Sequence, residues 1–260
     1  RHRFESDNDR DEGLMTTGIV NPYTMAAEFD PESIGWHSLI WAGGTEFQAE
    51  GYANNDRLAT CPDEFGGSAD DGIVSPINWG STFRVGQTAF GGEPHMYFSG
   101  NNRSVSTGDW SKADTTTVYT VVIVCWPTDW DDVHGTLFQD ATDLNRLKIH
   151  TYPTVLNTWR INTTWAYLTP VQDGTNALCL KFDTSATTGQ DVVSINGVTS
   201  NTNEFGVSTL KGMDIGADYG TYNEFEGGVA FVGVYDGDLR ADPDFSKLSA
   251  WCEATYGEPL

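Results

Sequence analysis

The chain has 260 residues, 38% of them hydrophobic and 12% aromatic, which is ample for one large core and too apolar for a disordered polymer. Against 37 Asp and Glu stand only 14 Lys and Arg, a formal charge of −23 and an isoelectric point near 4.2, so a phosphate backbone or an anionic bilayer is repelled by most of the surface. No nucleic acid and no membrane is therefore expected as a partner, and the longest strongly apolar run, residues 118–126, has the length of a strand rather than of a membrane-spanning helix.

Residues 1–13 carry one large apolar side chain, Phe4, and cannot offset the entropy of ordering themselves. Residues 1–35 are accordingly predicted as an acidic N-terminal arm or linker, ordered where it docks on a neighbour, and 36–260 as a single domain. The start at Arg1, with neither Met nor a signal-like apolar segment, reads as a processed, trimmed or incomplete beginning. Residues 40–93 are rich in glycine, with pairs at Gly43-Gly44, Gly66-Gly67 and Gly91-Gly92, and read as long loops with short strands between them.

Beyond residue 35 the pattern is of short apolar segments separated by Gly, Asn, Asp and Pro, which predicts strands at 95–98, 118–126, 135–138, 146–150, 158–162, 177–182, 191–195, 213–216 and 228–235. Asn196-Gly197 supplies the two positive-φ positions of a type I′ turn and closes a hairpin after 191–195. One helix is predicted near the end, with Asp242 as cap, Pro243 in the first turn, and Phe245, Leu248, Trp251, Cys252 and Tyr256 on one face before Gly257 stops it. Such a helix must lie on a sheet. No tandem repeat interrupts this order. Cys61, Cys125, Cys179 and Cys252 are far apart and form no zinc pattern; Cys125 and Cys179 sit in strand-like runs and read as buried free thiols.

The charge deficit comes from avoiding lysine: five Lys face 24 Asp and 30 Thr. At molar salt the Debye length shrinks to about 3 Å and self-repulsion is screened, so the composition suits a halophilic protein; an acidic secreted protein that binds calcium has the same composition.

The order of short motifs resembles the concanavalin A-like jelly rolls of the laminin-G-like group, in the form found on viral appendages and bacterial surface proteins. Residues 55–66, Asn55-Asp56-Arg57-Leu58-Ala59-Thr60-Cys61-Pro62-Asp63-Glu64-Phe65-Gly66, are similar to a family segment in which Trp is usual at the place of Cys61 and Ser at that of Phe65. Thr82-Phe83-Arg84, Tyr97-Phe98-Ser99-Gly100 and Val105-Ser106-Thr107-Gly108 follow in the family's order, then the Asn196-Gly197 turn. Met213-Asp214-Ile215-Gly216 with the run from Phe225 to Leu239 is the fullest match, and the terminal helix ending in Tyr256-Gly257 completes it. The resemblance implies an all-β, two-sheet jelly-roll sandwich with a short C-terminal helix. It implies much less about function, since this sandwich hosts lectins, hydrolases and structural modules.

For chemistry, Glu28-Phe29-Asp30-Pro31-Glu32 has the spacing of paired carboxylates on one strand, but Pro31 is unsuited to a central strand. His2, His37, His95, His134 and His150 are scattered, with no nucleophile motif beside them. Calcium is the one cofactor considered, at Asp129, Asp131 and Asp132, because three carboxylates in four residues repel without a cation. Trp126, Trp130, Trp159, Trp165 and Tyr167 are candidates to stack on sugar rings, although for Trp159 and Trp165 core or inter-subunit packing is the commoner role. Asn102-Arg103-Ser104 and Asn162-Thr163-Thr164 have the glycosylation form.

The resulting expectation is a non-enzymatic, surface-displayed structural or adhesive module. Its expected setting is the virion surface or the outside of a cell, as a decoration, turret or tail appendage of a tailed virus, with other virion or surface proteins and a homo-oligomer as partners. The alternatives are a carbohydrate-binding adhesin that grips a host glycan through Trp130, Trp159, Trp165 and Tyr167, and a glycoside hydrolase.

Overall fold

The computed structural model describes residues 29–66, 69–74, 81–87, 90–99, 104–128, 135–141, 148–152, 158–161, 164–166, 174–185, 191–203, 205, 207–216 and 225–260. A 3-10 turn, Pro31–Ser33, leads into β1 (Ser38–Trp41), a five-residue helix α1 (Thr45–Ala49), β2 (Thr60–Cys61), β3 (Gly72–Val74), β4 (Thr82–Arg84), β5 (His95–Ser99) and β6 (Val105–Ser106). There follow β7 (Val118–Pro127), β8 (Thr136–Gln139), β9 (Lys148–Tyr152), β10 (Thr158–Ile161), β11 (Thr164–Ala166), β12 (Asn176–Asp183), β13 (Asp191–Ile195), β14 (Val198–Asn203), β15 (Asp214–Ile215) and β16 (Glu226–Asp236). A second 3-10 turn, Leu239–Ala241, precedes α2 (Phe245–Tyr256).

The strands form two antiparallel sheets, an all-β jelly-roll-like sandwich. The first runs β14-β13-β12-β7-β16-β5-β4, with β1 also paired to β16, and the second runs β11-β10-β9-β8-β15-β6-β3-β2. Its centre is the pair β7 and β16, whose register runs from Gly227↔Pro127 to Asp236↔Tyr119. Both strands are apolar at successive positions because both faces of this sheet are covered. Val121, Ile123 and Cys125 face the second sheet, packing in one core with Leu178, Phe138, Ile149, Ile161 and Ile215. Val122 and Val124 point the other way, into a second core with Ala177, Cys179, Ala230, Leu248, Trp251, Cys252 and Tyr256. Helix α2 therefore seals the outer face of the first sheet.

Residues 29–35, assigned above to the arm, lie on the domain: Pro31 and Ile34 are buried, and Trp36 Nε1 donates to the Pro31 carbonyl at 2.8 Å. Trp36 reaches the sheet because Gly233 has no side chain; a Cβ there would stand 2.6 Å from the indole. The predicted turn is present, with φ of 50° at Asn196 and 71° at Gly197 between β13 and β14. The terminal helix starts later than the sequence suggests. Asp242 ends the preceding 3-10 turn in an extended conformation and accepts from Asp244 N at 2.8 Å and Tyr235 Oη at 3.0 Å, so α2 begins at Phe245 and stops at the left-handed Gly257. All four cysteines are free and buried.

Candidate functional site

With the outer face of the first sheet sealed by α2, the outer face of the second sheet is the other broad surface of the sandwich, and among the described residues no apolar cluster like that beneath α2 lies on it. Its register sets out two rows. One joins Trp165, Arg160, His150 and Thr136 across β11, β10, β9 and β8. The other joins Lys148, Gln139, Asp214, Ser106, Ile73 and Thr60 across β9, β8, β15, β6, β3 and β2. Ile215 and Val105 belong to the inner core and alternate with Asp214 and Ser106, which puts Gln139, Asp214 and Ser106 on the outer face. In the register, Trp159 pairs with Thr151 and Ala166, and Trp165 with Arg160. Trp130 and Tyr167, like Asp129, Asp131 and Asp132, lie outside the described residues.

At the middle of the polar row Gln139 Nε2 donates to Asp214 Oδ2 at 3.1 Å, and both residues are buried. Thr136 Oγ1 and Gln139 Oε1 are buried with no hydrogen-bond partner. Ile73, at the far end of the row, is 65% exposed.

Beside that end, the loop between β2 and β3 meets α1 in an open concavity of about 430 Å³ lined by Glu46, Glu50, Pro62, Asp63, Glu64, Phe65 and Asp71. Asp63 is its fixed point. Its carboxylate accepts from Ser38 Oγ at 2.5 Å, from Leu39 N and Phe65 N at 3.0 Å each, and from Lys112 Nζ at 3.4 Å. Lys112 also donates to the His37 carbonyl. Glu64 caps α1 from outside the helix, accepting from Glu46 N at 2.9 Å and Phe47 N at 3.1 Å. Burial raises the Glu64 pKa above the ordinary carboxylate value; these two donors lower it, and the nearby Glu32 and Glu46 charges push it further up. Asp71 accepts from Asp63 N at 3.0 Å. Glu46 and Glu50 hold no partner among the described residues, and the Phe65 ring is 39% exposed between these carboxylates.

The run around Pro31 is no strand. Asp30 caps the 3-10 turn by accepting from Glu32 N at 2.9 Å, and Glu32 accepts from Thr45 N at 2.7 Å; Glu28 lies outside the described residues. Among the described residues no group of three His, Cys, Asp or Glu side chains could hold a metal ion. Sequence reasoning passed over the concavity, although an aromatic residue flanked by Asp63-Glu64 and Gly66-Gly67 was a usable signal.

No protein-family model and no curated protein matches the chain. Solved structures do. Domain 4 of AbnA, a GH43 extracellular arabinanase from Geobacillus stearothermophilus in complex with arabinotriose, superposes with a TM-score of 0.52 at 15% identity, over 78% of this chain and 92% of that one. Trypanosoma rangeli sialidase in complex with sialic acid superposes with a TM-score of 0.55 at 11% identity, over 89% of this chain and 37% of that one, so the chain spans little more than a third of the sialidase's length. At these identities the likeness establishes the shared β-sandwich.

Proposed function

We propose that the chain is a non-catalytic carbohydrate-binding module that grips a glycan on the outer face of its second sheet. The observation that carries this reading is the asymmetry of the sandwich: one outer face is sealed by α2, whereas on the other the register lines up Gln139, Asp214, Ser106, Ile73 and Thr60, of which Gln139 and Asp214 are buried and Ser106, Ile73 and Thr60 reach solvent. Neighbouring strands lie about 4.8 Å apart, close to the advance of one sugar along an extended oligosaccharide, so successive hydroxyls meet successive strands. The two similar structures support the reading in kind, since each was solved with a sugar bound.

Asp30, Glu32, Asp63 and Glu64 are engaged by main-chain N–H groups, which leaves these four occupied rather than free to act as an acid/base pair. Display on a virion or cell surface, in a homo-oligomer, completes the proposal and is supported by the sequence resemblance alone.

The test is a glycan array, followed by titration of any hit with Trp165→Ala and Trp159→Ala. Specific binding abolished by Trp165→Ala, in a protein that keeps its melting temperature, is the expected result. Silence across the array, or binding indifferent to Trp165, defeats the reading; hydrolysis of the bound glycan defeats its non-catalytic part.

A further inference from the structure

We propose that the margin of the first sheet left uncovered by α2, around Arg84 and Tyr97, binds an acidic sugar through its carboxylate group. The place lies on the other sheet from the face proposed above, and the inference does not depend on that reading. The cover of α2 ends at Phe90. This ring packs 6.2 Å from that of Tyr256 and 6.5 Å from that of Trp126, and it sits over Gly228, where a Cβ would stand 2.5 Å from it. Around Phe90 the register sets Thr82, Tyr97, Gly228 and Trp126 in one row across β4, β5, β16 and β7, with Arg84 beside His95 in the next. Phe83, Met96, Val229 and Cys125 alternate with these positions and belong to the inner core, so the patch faces outward. Thr82, Arg84, Tyr97 and Trp126 are half-buried and therefore partly open to solvent.

What distinguishes this patch is unused hydrogen-bonding capacity. Thr82 Oγ1, Arg84 Nε, His95 Nε2, Trp126 Nε1 and Thr128 Oγ1 are all buried with no partner. His95 is fully buried, and Thr128 extends β7 by donating its N–H to the Glu226 carbonyl at 2.9 Å. Each such atom carries a desolvation cost that nothing in the fold offsets, and a polar ligand relieves it.

Charge selects the ligand. The chain has 14 basic residues against 37 acidic ones, yet among the described residues no carboxylate pairs with Arg84. Its guanidinium carbon stands instead 3.5 Å from the centroid of the Tyr97 ring. A guanidinium held against a ring face keeps its in-plane N–H donors for a planar, bidentate acceptor, which is what a carboxylate offers. A neutral sugar leaves this charge unpaired. A phosphate or sulfate dianion brings a second negative charge into the field of a protein at −23, which a carboxylate avoids. The remaining groups call for hydroxyls. Trp126 Nε1 only donates, whereas His95 Nε2, with the proton on Nδ1 toward the Glu93 carbonyl, only accepts, and the threonines do either. A hydroxylated ring serves that mixed set, and a simple carboxylic acid does not.

The test is calorimetric titration of the whole chain, at low salt, with trigalacturonic acid and with its methyl ester, in which the carboxylates are blocked. The acid should bind about tenfold or more tightly than the ester. Arg84→Gln and Arg84→Lys should each weaken it by about tenfold or more, the latter because an ammonium lacks the planar fork, while Trp165→Ala leaves it unchanged. If the Arg84 variants fail to fold, Thr82→Val, which removes one hydroxyl at nearly constant shape, should weaken the acid by about threefold or more. Equal binding of acid and ester overturns the proposal, as does inorganic phosphate binding as tightly as the acid, or no binding of the acid by the wild type. Binding lost with Trp165→Ala but kept with Arg84→Gln also overturns it, and does so while upholding the sugar-binding face on the second sheet.

Discussion

His95 lies on the outer face of β5, fully buried, its ring 4.7 Å from that of Phe90. Nδ1 is 3.3 Å from the Glu93 carbonyl oxygen, which places the proton on Nδ1 and leaves Nε2, without a partner, as a bare acceptor. Burial holds the pKa down to about 4 from an ordinary 6.5; the Glu93 carbonyl pulls it up and the Arg84 charge pushes it down. Between those pH values the folded protein binds fewer protons than the unfolded chain. The contribution of this group is complete above pH 6.5 and is lost as the pH falls toward 4, at about 1.4 kcal/mol per unit and roughly 3 kcal/mol in all. Glu64, Asp191 and Glu258 are raised by burial and act in the opposite sense, so the informative quantity is a difference between two proteins. Melting temperatures of the wild type and of His95→Gln, followed from neutral pH down through 4, should diverge by about 6–12 °C, the wild type falling further. Parallel curves would refute the assignment of a neutral, unpartnered imidazole to this position.

Asp63→Ala leaves Leu39 N, Phe65 N and Ser38 Oγ without an acceptor and Lys112 without its buried counter-charge, a loss of ~3 kcal/mol or more that chemical denaturation should register; a loss under ~1 kcal/mol would deny Asp63 its structural role. With a formal charge of −23, the melting temperature should climb from low to molar sodium chloride as self-repulsion is screened, and equal stability at both extremes would remove the halophilic reading.

What the sequence made legible was whatever a strand decides locally. β7 and β16 bury both faces and are apolar at successive positions, so their existence follows from composition alone, and Asn196-Gly197 closes its hairpin by backbone preference. β2, β6 and β15 are two residues each, and their pairing comes from neighbours rather than from any pattern of their own. α1 is too short to be stable alone and is capped by Glu64, which follows it by many residues. The same limit applies to the site. Trp159 and Trp165 look equivalent in sequence, and their places in the sheet come from the register of β9, β10 and β11 rather than from any local pattern.

The acidic composition carries a similar ambiguity, and the hydrogen bonds resolve part of it. Loops that join many strands leave main-chain N–H groups without sheet partners, and a short carboxylate is an efficient acceptor for them. Asp56 accepts from Ala53 N, Asp70 from Ser111 N, Asp140 from Lys211 N, Asp191 from Asp183 N and Phe205 N, Asp236 from Thr116 N and Asp238 from Arg240 N. For these residues the negative charge accompanies a turn-forming function, which weakens any inference from aspartate count to metal binding. Carboxylates that hold no main-chain donor are the ones left to meet something else. Around the Phe65 concavity those are Glu46 and Glu50.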